Sequence, residues 1–94
     1  MIRSYGDART ERFAAGRRVK QFEPFRRQAE RTLDRLEAAT NLGDLANFPG
    51  HHLEKLKGDR SDTDSVRIND QWRICFKWPE GSNGPEHVTI EDYR

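Results

Sequence analysis

Cysteine occurs once in this 94-residue sequence, at position 75. That excludes an internal disulfide and any zinc site built on several cysteines. A lone Cys75 in the middle of an apolar strand is expected to be a small buried or half-buried thiol rather than a nucleophile. Apolar residues are also scarce, at 33% against 35% charged, and the mean hydropathy is -1.06. No apolar run approaches the roughly 20 residues of a membrane-spanning helix, and the arginine-rich start lacks the apolar core of a secretory signal. A soluble, cytoplasmic protein without a membrane partner is expected. No glycine-rich phosphate loop leads into a helix, because residues 79–85, PEGSNGP, lack the lysine and the strand–helix context. The histidines are His51, His52 and His87, and an adjacent pair without cysteines makes no metal quartet. His51 and His52 read as a solvated loop pair, and neither metal nor cofactor is expected.

Ninety-four residues make one domain, 1–94, which buries roughly 60–65% of its unfolded surface. Its aromatics (two Trp, two Tyr, five Phe) are 10% of the chain and should supply much of the core. The net charge of +1 predicts no partner, but its distribution is uneven. Residues 1–36 hold ten Lys/Arg against five Asp/Glu, giving +5, and residues 37–94 hold seven against eleven, giving -4. Such asymmetry suits a polyanion-facing region beside an acidic one, although charge runs are most often solvated faces.

The opening MIRSYG predicts a short strand with Ile2 inward. Asp7 then suits an N-cap for a helix over ARTERFAAG that stops at Gly16. RRVKQFE reads as a basic connector, and Pro24 as a first helical position. From Phe25 through Ala39 the spacing of Phe25, Ala29, Leu33 and Leu36 predicts an amphipathic helix. Its other side repeats Arg27, Arg31 and Arg35, read either as a solvated face with Arg26–Glu30 pairing or as a phosphate-contacting ridge. NLGDLANFPG predicts a turn with one helical turn, and HHLEKLK a strand. GDRSDTD is an acidic connector, SVRIN and QWRICFKW form a hairpin about Asn69–Asp70, and EHVTIEDY is a closing strand. The result is an α+β fold with two N-terminal helices packed on one face of a small antiparallel sheet.

Strand parity sorts the side chains of this sheet. Val66, Ile68, Trp72, Ile74, Phe76, Trp78, Val88 and Ile90 belong to an apolar face. Arg67, Arg73, Lys77, Thr89 and Tyr93 belong to the opposite, exposed one, with Lys57 at the end of the preceding strand. Clustered cations near a tyrosine are what RNA cleavage by a 2′-hydroxyl needs: charge stabilisation of a phosphorane, and a proton acceptor and donor. An arginine forks onto two phosphate oxygens and a lysine acts as a point charge. Equally, cationic sheet faces simply bind nucleic acid or acidic partners, or lay alkyl stems over core edges.

The segments LEKLKGDR, VRINDQWRICFKW and EDYR, with MIRSYGD, LDRLEAAT and DL…PG, resemble the HigB-type plasmid-maintenance killer toxins of the RelE/ParE superfamily. The likeness runs through nearly the whole chain. It implies a RelE-like fold and a ribosome-dependent mRNA endonuclease that cuts without a metal. It also implies a HigA-type antitoxin with a helix-turn-helix domain, operator DNA being bound only through that antitoxin, and a toxin that is monomeric alone. Lys57 falls on the lysine of LKGDR, Arg73 on the arginine of W-R-I, and Asp92 and Tyr93 on the D-Y of a D-Y-H ending. Arg94 stands where the family usually has a catalytic histidine, and an arginine stays protonated and is a poor base. Glu54 stands where some relatives have a histidine, with His52 two positions earlier. The resemblance implies Lys57, Arg73, Asp92 and Tyr93 as catalytic, with Arg94 at the position of the histidine, and together with the cationic face it makes Arg67, Lys77 and His52 the expected RNA contacts. A gyrase-poisoning relative, or a toxin attenuated by its ending and acting as an antitoxin-binding module, is the alternative.

Overall fold

Alternation of apolar and polar residues in the strands between positions 64 and 92 builds the centre of the molecule. The computed structural model describes residues 1–47, 50 and 52–92. Four strands, β1 (Glu54–Lys55), β2 (Asp64–Arg67), β3 (Trp72–Lys77) and β4 (Glu86–Asp92), form an antiparallel sheet in the order β1-β2-β3-β4. Before them come α1 (Ala8–Ala14), a 3₁₀ segment (Lys20–Phe25), α2 (Arg26–Ala38) and α3 (Leu42–Ala46). The fold is α+β, as expected. Among the described residues no helix is long and apolar enough to cross a membrane.

The local signals act as their chemistry dictates. Asp7 caps α1 by accepting the Thr10 amide at 2.8 Å, and Gly16, at φ +88°, takes the left-handed conformation that ends it. Between β2 and β3, Asn69 Oδ1 accepts the amides of Gln71 and Trp72, each at 2.8 Å, closing the expected turn through the side chain. The Arg26–Glu30 pair forms at 3.7 Å on the exposed side of α2.

Other segments depart from the reading. MIRSYG is not a strand of the sheet. It runs parallel to β4 with one bridge, Tyr5 to Val88, and with Arg3 donating to Pro85 and Gly6 to Val88, each at 2.8 Å. The HHLEKLK strand shortens to Glu54–Lys55. Pro24 lies inside the 3₁₀ segment rather than at the start of α2. The supposed connector supplies core, because Val19 and Phe22 are both buried.

A single apolar cluster joins Phe13, Phe22, Phe25, Ala29, Leu33, Leu36 and Leu45 to Val66, Ile74, Phe76, Val88 and Ile90. Phe22 is its hub. Its ring meets Phe13 edge-on at 5.4 Å and Trp72 at 5.7 Å, while Phe25 stacks on Trp72 at 5.0 Å. Such pairs contribute about 0.5–1.5 kcal/mol each beyond area burial. The Arg9 guanidinium sits 5.1 Å from the centre of the Phe22 ring, adding a cation–π contact. Thr10 fastens the helical layer to the sheet, its hydroxyl accepting the Ile90 amide at 3.0 Å. In β4, His87 at φ +56° marks an irregularity where the pairing shifts between Cys75 and Lys77, a bulge that restores Val88 and Ile90 to the core face.

Candidate active site

The face opposite the apolar cluster carries polar side chains, but much of it is covered. Across β2, β3 and β4 the register aligns Ser65, Cys75 and Thr89 in one row and Arg67, Arg73 and Glu91 in the next. Ser65, Cys75, Arg73 and Thr89 are all buried. The expectation of an exposed cationic face is therefore corrected for Arg73 and Thr89. The connector between β1 and β2 turns inward: Arg60, at the end of its short 3₁₀ segment Gly58–Arg60, reaches Glu91 on β4.

Arg73 donates to neutral oxygens of Ser65 and His52 among the described residues. Its Nε donates to Ser65 Oγ at 2.8 Å, and its Nη2 to the carbonyls of His52 at 2.6 Å and Ser65 at 3.3 Å. Two arginines directly opposite across strands repel. Here Arg67 and Arg73 are such partners, and the repulsion is relieved because Arg73 leans toward the chain before β1 while Arg67 pairs with Asp70. His52, whose carbonyl Arg73 binds, has φ +46°, a left-handed conformation uncommon for a residue with a Cβ.

Glu91 is the most strongly perturbed acid on this face. Both its oxygens accept from the Arg60 fork, each at 2.7 Å, and one accepts the Thr89 hydroxyl at 2.5 Å. The Arg60 hydrogen bonds outweigh burial and draw its pKa from 4.5 down to about 2. Cys75 lies beside this pair. Burial first, then the Glu91 charge, push its thiol up to about 12, against an opposing pull from Arg60. The thiol is thus held protonated at neutral pH, and it is buried, as expected.

Lys57 is exposed, precedes the Gly58–Arg60 turn, and has no ion pair among the described residues. It is three residues from Arg60, whose anchor Glu91 is the cross-strand partner of Arg73. Lys77 pairs with Asp62 of the same connector at 3.4 Å. Asp92 pairs in register with Trp72, so it has the parity of the apolar face rather than that of Arg73, and its carboxylate accepts the Gln71 side-chain amide at 2.8 Å. His52 is exposed. Tyr93, Arg94 and His51 lie outside the described residues. The structure therefore groups Arg67, Arg73, Arg60 and Glu91, with Lys57 and Lys77 on the neighbouring connector and strand.

Sequence reasoning passed over Arg60, Glu91 and Ser65. One signal was available: parity places Glu91 among the cations, and a carboxylate there needs a partner. Nothing local in the sequence identifies Arg60 as that partner, since the two are 31 residues apart. No group of three or more His, Cys, Asp or Glu side chains comes together among the described residues.

Residues 4–91 match the HigB-like toxin family, described as the RelE-like toxin of type II toxin–antitoxin system HigB. Among individual proteins, the chain is 39% identical over 51 residues to Toxin HigB-1 of Vibrio cholerae, covering 54% of each. It is 38% identical over 48 residues to an uncharacterized protein of Haemophilus influenzae, covering 51% of this chain and 48% of that one. It is also 38% identical over 68 residues to Endoribonuclease HigB of Proteus vulgaris, covering 68% of this chain and 70% of the relative. The matches thus span about half the length of the first two relatives and 70% of the third.

Proposed function

From the premise that the chain belongs to the HigB-like toxin family, whose match spans residues 4–91, we propose that it is the toxin of a type II toxin–antitoxin pair and an endoribonuclease. It cuts mRNA on the ribosome without a metal, by attack of a 2′-hydroxyl on the adjacent phosphate. The helices occupy the sheet face away from that chemistry. Support comes from the relative named Endoribonuclease HigB. The single structural observation behind the reading is Lys57, an exposed cation without an ion pair among the described residues, beside a turn anchored by Arg60 to Glu91.

In this reading Lys57 is the point charge that meets the phosphorane, and Arg67 and Lys77 contact the RNA backbone. Arg73 raises the local positive potential and holds the chain at His52 in place. Tyr93 moves the proton or stacks on a base, Asp92 orients its neighbours, and Arg94 steadies the leaving oxygen. A HigA-type helix-turn-helix antitoxin neutralises the protein in the cytoplasm and ties the complex to its operator.

Mapping mRNA ends after mixing translating ribosomes with the protein tests this. Cuts at defined codons in the presence of chelator are expected, and uncut message at all codons overturns it. Two points favour a second reading as a gyrase-poisoning or attenuated, antitoxin-binding form. The Arg73 fork is already occupied by Ser65 and His52, and Arg94 cannot act as a base. Trapped DNA-cleavage complexes with intact RNA would select that reading. A gain in cleavage by Arg94→His would instead identify the ending as the weak point of a ribonuclease.

A further inference from the structure

We propose that Arg60 and Glu91 are a positioning pair, whose fork holds the connector bearing Lys57 against β4, beside Arg73, the cross-strand partner of Glu91. The inference rests on the ribonuclease reading above and adds two residues to it that contact no substrate themselves.

The connector is internally hydrogen-bonded. Leu56 donates to Thr63 at 2.8 Å, Thr63 to Arg60 at 2.9 Å and Ser61 to Gly58 at 3.2 Å. Gly58, next to Lys57, takes φ +69°, which a side chain at that position would oppose. Within such a closed turn, the placement of Arg60 fixes the placement of Lys57. Two side chains of the connector grip the far strands. Asp62 meets Lys77 at 3.4 Å between exposed groups, a contact that water screens heavily. Arg60 is different in kind. Its two nitrogens meet the two oxygens of Glu91 at 2.7 Å each, the paired geometry that fixes direction as well as distance. Glu91 is in turn steadied by the Thr89 hydroxyl at 2.5 Å. The bond joins the β1–β2 connector to β4 over the intervening strands, and Cys75 is buried in the same neighbourhood.

The apolar cluster contains neither Arg60 nor Glu91. Removing the fork should therefore leave the fold standing and release the connector. A lysine at 60 keeps the charge but loses the fork.

The test is single-turnover cleavage of message on programmed ribosomes, with binding measured separately from the cutting step. In Glu91→Gln and Arg60→Lys the cutting rate should fall by roughly 10- to 100-fold with half-saturation unchanged, the scale expected of a misplaced catalytic group. The exchange Arg60→Glu with Glu91→Arg should recover part of that loss, and Arg18→Gln, which breaks only the exposed pair with Glu23, should lose nothing. Unchanged cutting in Glu91→Gln overturns the proposal, as does a loss that follows thermal unfolding and is not rescued by the exchange. If the wild type itself cuts nothing, the ribonuclease reading falls, and the pair is judged by amide hydrogen exchange. Faster exchange at Ser61 and Thr63 in Glu91→Gln, with β3 unaltered, supports the pair, and equal exchange overturns it.

Discussion

Arg73 donates through Nη2 to the backbone carbonyl of His52 at 2.6 Å, so a residue proposed for the chemistry is also a structural strut. The same guanidinium satisfies the hydroxyl and carbonyl of Ser65. Arg73→Ala would leave the oxygens of Ser65, which is fully buried, without this donor, at about 1–3 kcal/mol for a group left unsatisfied. A lower thermal midpoint is therefore expected together with lost cleavage, and calorimetry on the purified variant would check it. An unchanged midpoint would return Arg73 to a purely chemical role.

Lys57 should behave in the opposite way. It is exposed and without an ion pair among the described residues, so Lys57→Ala should change stability by no more than about 0.5 kcal/mol. If it stabilises the phosphorane, cutting should fall roughly 100- to 1,000-fold. The two variants together separate charge used for chemistry from charge used for folding.

Glu91 makes a pH prediction. Its pKa is about 2 in the fold against an ordinary 4.5. A depressed carboxylate contributes stability in full above pH 4.5, and that contribution disappears as pH falls from 4.5 through 2. The difference in thermal midpoint between wild type and Glu91→Gln should therefore narrow across that window and stay flat from pH 5 to 8. A gap that persists unaltered at pH 2 would refute the coupling.

Cys75 should be silent to thiol reagents while the protein is folded. Burial raises its pKa to about 12, so at pH 8 the reactive thiolate is on the order of 0.01% of the population. Denaturant should unmask it, and following the release of a chromogenic disulfide reagent with and without guanidinium would show both states.

Phe22 is the most informative core position. It is fully buried and touches Phe13, Phe25 and Trp72. Phe22→Ala should cost about 3–5 kcal/mol, read as a shifted urea midpoint. A smaller loss would mean that the 3₁₀ segment closes over the gap.

Much of the architecture was legible because period and punctuation agree. Asp7, Gly16, the Phe25–Leu36 spacing and the Asn69 turn each act within a few residues, and each behaved as its local chemistry requires. The 3₁₀ segment escaped notice because Val19 and Phe22 are set among Arg17, Arg18 and Lys20, so no helical period reports their burial. The two faces of β3 followed parity, but parity says which side a residue is on and not whether that side is wet. Arg73 and Cys75 are buried beside the β1–β2 connector and its Arg60–Glu91 bond, a long-range contact that no local pattern encodes. Of the site, the cations were visible and their partners were not.

The segment before α1 has a bearing on how another chain could attach. Val88 exchanges backbone bonds with Ser4 and Gly6, and Ile90 gives its amide to Thr10, so the outer margin of β4 is already occupied. Annealing of a foreign strand there would first require residues 3–6 to peel away. At the other margin β1 offers a ladder of two residues. An inhibitor that works by extending the sheet would find little purchase at either end, which directs attention to contacts made through side chains.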